Sequence, residues 1–156
     1  MRRRRSAGHP VLGSRALVAA QFALIGLLIV TTRPSTAATA VALAAAFAIA
    51  AAAVGIAALA ANRPGNFNIR PEPKDRARLV THGIYSRVRH PMYTSVLLAM
   101  LALVALDPRL WRAATWFALA AVLLAKAARE ERYLLARFPE YAAYCARTHR
   151  LIPGVF

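Results

Sequence analysis

Acidic residues are scarce in this chain: six Asp and Glu stand against 21 Lys and Arg, a formal net charge of +15 over 156 residues. Charge of either sign is thin at 17%, whereas apolar residues make up 59% and mean hydropathy is +0.44. A water-soluble domain could not cover that much apolar side chain, so the composition selects an integral membrane protein. Excess positive charge can signal nucleic-acid binding. Here, however, basic residues alternate with apolar blocks long enough to span hydrocarbon, so membrane lipid is the expected partner and nucleic acid is not. Cysteine is nearly absent as well. Cys145 stands alone, which excludes a disulfide within the chain, and no Cys/His set at zinc spacing exists, so no metal is expected. Flanked by Ala142, Ala143 and Ala146, Cys145 reads as a small packing residue.

The apolar blocks set the architecture. Residues 15–32 and 37–61 each approach the ~20 residues that a spanning helix requires. Residues 92–106 and 110–125 are interrupted at Asp107-Pro108, a turn signal, and so predict a helical hairpin. Its arms are short, a mismatch met by flanking turns, tilt or snorkelling. The expected fold class is all-α, a single polytopic membrane domain of about four transmembrane helices plus a cytoplasmic C-terminal helix. Ala44, Ala48 and Ala52 give the second block a small-residue face for close helix approach. The basic run at residues 2–5, followed by small residues at Ala37, Ala38 and Ala40, also imitates a secretory signal, but the first block is long for one and an uncleaved span is the simpler reading.

Loop charge predicts orientation. Arg2, Arg3, Arg4, Arg5 and Arg15, then Arg63, Arg70, Lys74, Arg76, Arg78, Arg87 and Arg89, then Lys126, Arg129, Arg132, Arg137, Arg147 and Arg150 fall on one side of a four-span topology. Only Arg33, Arg109 and Arg112 fall on the other, so the rich side, carrying both termini and the loop at 62–90, is expected to be cytoplasmic. Arg63-Pro64-Gly65-Asn66 reads as a turn and residues 70–78 as extended loop.

Two polar clusters lie on that side. LVTHGIYSRVRHPMY, residues 79–93, gathers Tyr85, Arg87, Arg89, His90 and Tyr93 at the start of an apolar helix marked by Pro91. Thr81-His82-Gly83 makes a turn, and Pro91 at the first helical position leaves backbone N–H groups to meet an anion. That arrangement suits a flat-ringed ligand bearing a carboxylate; equally, the tyrosines read as interfacial anchors and the arginines as topology signals. In the second cluster, Lys126 and Glu130 share a helix face one turn apart, which by itself is an ordinary helical ion pair. The adjacent Glu130 and Glu131 point in different directions, so one can face a pocket while the other faces water. Phe138, Tyr141 and Tyr144 recur at helical spacing and predict a docked tail helix.

Taken in order, LVTHGIYSRVRHPMY, an apolar hairpin and EERYLLARFPEYAAYCARTHRLIP closely resemble the isoprenylcysteine carboxyl methyltransferase family and its phospholipid methyltransferase relatives. The resemblance covers residues 77–153. It implies a membrane-embedded methyltransferase that uses S-adenosyl-L-methionine without a Rossmann domain, and no GxGxxG follows a strand here. By motif position it places cofactor contacts on Ala77, Arg78, Leu79, Val80, Tyr85, His90, Pro91, Met92, Tyr93 and Glu130. It gives the catalytic side to Arg89 and Lys126, with Lys126 where the family has a basic residue, typically arginine, serving the methyl acceptor. Lys lacks the planar fork that grips a carboxylate bidentately. Pro139 stands where glycine is common. The implied acceptor is lipophilic, an isoprenylcysteine-type carboxylate by the family's name. A phospholipid amine or small thiol would use much the same cofactor site, and a membrane reductase using NADPH or a non-catalytic binding protein are the rival readings. The absence of a Ser-His-Asp set is no objection, because in-line methyl transfer needs alignment and exclusion of water more than a general base.

Overall fold

The computed structural model describes residues 11–62 and 79–154, and among them the regular elements are all helices. Ala77, Arg78, the expected turn at 63–66, the loop at 70–78 and the basic run at 2–5 lie outside the described residues. The elements are α1 (Val11–Val30), α2 (Ala38–Ala61), a single 3-10 turn (Gly83–Ser86), α3 (Pro91–Leu106), α4 (Leu110–Arg137) and α5 (Tyr141–Ala146). By length and composition α1, α2 and α4 can each cross a membrane, and the apolar α3 is shorter at 16 residues. This is an integral membrane protein.

Each boundary has a local cause. Pro91 occupies the first turn of α3, where its missing N–H costs nothing. Asp107 and Pro108 end α3, and Ser35 N–H caps its last carbonyl by donating to Leu106 O at 2.9 Å. The last apolar block does not stop at residue 125, because Lys126 to Arg137 contains no glycine or proline to break it, and α4 runs on for 28 residues. Pro139 follows just beyond the helix. Gly83 begins the 3-10 turn at φ 60°, a left-handed conformation glycine adopts without penalty.

α3 is the hub, packed against α2 on one flank and against α1 and α4 on the other, while α1 pairs with α4. The apolar core joins Leu28 of α1, Leu97 and Met100 of α3, and Leu119 and Leu123 of α4. The α2–α3 seam rests on small residues, but with a register other than the expected i, i+4, i+8. The buried positions are Ala44, Ala51 and Ala58, and of the three alanines expected only Ala44 is buried; a seven-residue repeat keeps one line of a helix on its neighbour over many turns. Gly55 lies on the same seam, where a Cβ would come within 2.9 Å of Ser95 Oγ, and that hydroxyl donates to Ala51 O at 2.8 Å. An apolar groove of about 730 Å³ runs along this seam from Leu59 and Met92 to Val41 and Leu106.

The antiparallel run of helices defines two ends. One gathers the start of α1 and α3 with the finish of α2 and α4. The other holds Arg112, expected to be a topology signal, which is instead entirely buried. Its guanidinium donates to Thr31 Oγ1 at 2.8 Å, Thr32 Oγ1 at 2.6 Å, Leu28 O at 3.1 Å and Leu103 O at 3.3 Å. The two threonines in turn donate to Leu27 O and Leu28 O, so one arginine gathers the hydroxyls and the Leu28 carbonyl at the end of α1. Asp107 supplies the counter-charge, 3.7 Å from Arg112 Nε, and also accepts from Arg33 N–H at 3.2 Å and Arg109 Nε at 2.8 Å.

Candidate active site

At the opposite end, the approach to α3 is pinned by the tail. Residues 149–151 run parallel to residues 87–90: Arg89 N–H donates to His149 O at 2.8 Å, His149 N–H to Arg87 O at 2.9 Å, and His90 N–H to Arg150 O at 3.1 Å. Thr94 Oγ1 donates to Leu151 O at 2.8 Å and Tyr144 Oη to Tyr85 O at 2.6 Å. Tyr141 and Tyr144 are the buried face of the short α5, as expected of a docked tail, whereas Phe138 caps the end of α4 and lies outside α5. Burial pushes the Tyr144 phenol up to about 12, so it remains a donor. It likewise raises the Cys145 thiol, consistent with a packing residue rather than a nucleophile.

His90 stands between the two glutamates. Its Nδ1 lies 3.7 Å from Glu130 Oε2 and its Nε2 3.2 Å from Glu131 Oε1. The expectation that one glutamate would face water fails, because the tail brings cations over the second one. Glu131 is buried and accepts from Arg89 Nε at 2.9 Å and from Arg150 Nη2 at 2.6 Å, with Arg150 Nε bridging both of its oxygens. Glu130 keeps 33% of its side chain exposed and accepts from Tyr93 Oη at 3.2 Å. The Tyr93 ring stacks on His90, centroids 5.4 Å apart and planes 6° from parallel. Against the Tyr93 ring sits the Lys126 ammonium, 5.3 Å from its centroid. Lys126 is buried and donates to Gln21 of α1 rather than pairing directly with Glu130.

The expected residues are therefore partly assembled. His90, Tyr93, Glu130 and Lys126 form one connected group. Tyr85 is buried beneath it, its phenol raised chiefly by burial against a hydrogen bond with Asn62, and it feels the Glu130 charge. Leu79, Val80 and Met92 are half-buried and Pro91 is buried. The row of N–H groups expected at the α3 terminus is reduced: Tyr93 and Thr94 both donate to His90 O, leaving Met92 as the first-turn donor without a hydrogen bond among the described residues. Arg89 is engaged as a clamp, its Nη1 donating to Cys145 O at 3.1 Å and also to Thr148 O while its Nε holds Glu131. Sequence reasoning missed Gln21, Arg112 and Arg150. A lone glutamine midway along an apolar span was a signal for the first; the partners of the two arginines lie in distant segments and carry no local pattern.

Fold and site together define a helical membrane protein with a polar, partly open ion cluster at one end of its bundle. Residues 41–140 match the model of the phospholipid methyltransferase family, and the chain belongs to that family, to which the isoprenylcysteine carboxyl methyltransferases are related. The match covers most of α2 and all of α3 and α4 but not α1. The chain is also 43% identical over 77 residues to the cobalt-zinc-cadmium resistance protein CzcN of Cupriavidus metallidurans, an alignment covering 48% of this chain and 35% of that relative. The chain thus matches about a third of the relative's length.

Proposed function

We propose that this protein transfers a methyl group from S-adenosyl-L-methionine to a lipophilic acceptor, with the cofactor in the His90–Tyr93–Glu130 group and the acceptor beside Lys126. The observation that carries this reading is Glu130, a carboxylate that keeps a third of its surface exposed, at 33%, while its neighbour Glu131 is closed in by three cationic or ionisable groups. Methyltransferases of this family generally use S-adenosylmethionine. The residues fit that group: Glu130, oriented by His90, for its ammonium, the Met92 N–H for its carboxylate, and the Tyr85 and Tyr93 rings for its flat or sulfonium portions. Leu79, Val80, Pro91 and, from the motif alone, Ala77 and Arg78 complete the proposed contacts. Bound there, the cofactor would supply an activated methyl for in-line displacement onto a carboxylate, amine or thiolate.

The chain's own residues supply placement. Tyr93 Oη and His90 hold Glu130 from two sides, Glu131 fixes the other edge of His90, and Arg89 acts through Glu131 and the tail rather than on a reacting atom. Lys126 offers a positive charge one turn deeper for the acceptor. The apolar groove along α2 and α3 reaches Met92 and supplies a hydrocarbon path for a lipid tail, which supports lateral entry between helices. The loop-charge bias supports a cytoplasmic site and cytoplasmic termini; single cysteines at Ser35 and the exposed Pro108 in a Cys145→Ala background should label from outside, and labelling at Thr81 instead would reverse the orientation.

Isothermal titration of the protein in lipid nanodiscs with S-adenosylmethionine, S-adenosylhomocysteine and NADPH tests the cofactor. Saturable binding of the first two is expected. Binding of NADPH alone would make the protein a reductase, and binding of none a non-catalytic lipid-binding member of the fold. An S-prenylated N-acetylcysteine and phosphatidylethanolamine then test the two acceptor classes, the isoprenylcysteine-type carboxylate and the phospholipid amine.

A further inference from the structure

Gln21 is the eleventh of the 20 residues of α1, roughly 15 Å from the start of the helix at ~1.5 Å per residue, and so midway along a span whose other polar side chains, Ser14 and Arg15, lie near its start. It is 8% exposed, and its side-chain oxygen accepts from Lys126, itself 1% exposed. A polar pair at such depth is costly, and a lysine near a membrane ordinarily snorkels its ammonium outward along its flexible stem. Here the ammonium is turned inward, toward the junction of α1, α3 and α4. An ammonium carries three donors. Gln21 takes one, the Tyr93 ring faces another side at 5.3 Å, and no further hydrogen-bond acceptor is present among the described residues. A buried cation left short of acceptors, one helical turn from Glu130, is an arrangement in want of an anionic oxygen.

We infer that Gln21 is a positioning residue which holds Lys126 inward to bind an anionic oxygen of the acceptor, so that α1 completes the site from outside the family-matched region. This rests on the methyltransferase reading for its acceptor, but the Gln21–Lys126 link does not. The anionic oxygen belongs either to a carboxylate or to the phosphate of a phospholipid headgroup. Glutamine suits the task because its carbonyl accepts from the ammonium without neutralising it, leaving the charge for the ligand.

The sequence contains two lysines, Lys74 and Lys126, so in a Lys74→Arg background a nitrogen-15 side-chain lysine signal reports Lys126 alone. The full chain in nanodiscs should show that signal moving when an S-prenylated N-acetylcysteine is added, or when a phosphatidylethanolamine disc replaces one of neutral detergent-like lipid, but not with the neutral carboxamide of the same probe. Gln21→Leu, which keeps the volume and loses the acceptor, should shift the resting signal and abolish that response. It should also raise KM for whichever probe is methylated by on the order of tenfold, leaving S-adenosylhomocysteine affinity intact. Gln21→Glu should restore the resting signal toward its starting position while KM for an anionic acceptor stays high, because its own charge competes for the ammonium. An unchanged Lys126 signal and KM in Gln21→Leu, or an equal response to the neutral carboxamide, would overturn the inference even if the cofactor binds. Failure of the parent protein to bind S-adenosylhomocysteine would instead reject the methyltransferase reading, with the lysine signal still deciding the role of Gln21.

Discussion

The two ends of the bundle each bury an ion cluster, one centred on Arg112 and one on Glu131, yet they differ in what they leave open. At the far end Arg112 is wholly enclosed and distributes four hydrogen bonds to two hydroxyls and two carbonyls, with only its Nε lacking one and facing Asp107 at 3.7 Å. At the site end Glu131 is equally saturated by Arg89, Arg150 and His90, but Glu130 beside it is partly exposed and Lys126 below it lacks a full set of acceptors. Saturation marks the groups that hold the fold. Incompleteness, which costs stability near a membrane, marks the groups that the proposed function assigns to a ligand.

Substitutions should separate these roles. Arg112→Ala is expected to produce the largest effect, a loss of about 3–5 kcal/mol of stability, because it leaves Asp107 and the α1 carbonyls without their buried partner. Thermal melting in nanodiscs reads it, and protein that remains folded should bind S-adenosylhomocysteine normally. Glu131→Gln should destabilise by about 3 kcal/mol, less than Arg112→Ala because Arg150 is partly solvated, and should expose residues 147–151 to limited proteolysis. A protease-resistant tail in that variant would remove the clamp from the comparison. Glu130→Gln should leave the melting temperature nearly unchanged while raising the S-adenosylhomocysteine dissociation constant roughly 10- to 100-fold, through loss of a charge-assisted bond. Tyr144→Phe is the mildest: one hydrogen bond to Tyr85 O disappears, about 1 kcal/mol, measurable as a small drop in chemical stability with cofactor affinity preserved.

Much of the fold was legible along the chain. Pro91 as a helix start, the break at Asp107-Pro108, and Lys126 and Glu130 on one continued helix face are all local signals, and local chemistry decides them. What escaped depends on pairing between segments far apart in sequence. The i, i+7 register of Ala44, Ala51 and Ala58 is set by how α2 lies on α3, which a single helix does not encode. Arg112 reads as a topology arginine until Thr31, Thr32 and Leu103 are brought to it. One of the two glutamates was expected to face water because nothing in EERY announces that Arg150 returns over Glu131. Gln21 was visible as a lone polar residue in an apolar block, but only Lys126 at its side gives it a purpose.

The most direct test is calorimetric titration of S-adenosylhomocysteine into the parent protein, Glu130→Gln and Arg112→Met in nanodiscs under one set of conditions. A saturable single site in the parent, retained in Arg112→Met and weakened at least tenfold in Glu130→Gln, is the expected result. No binding by the parent, or equal affinity in the parent and Glu130→Gln, would contradict the assignment of the open end as the cofactor site.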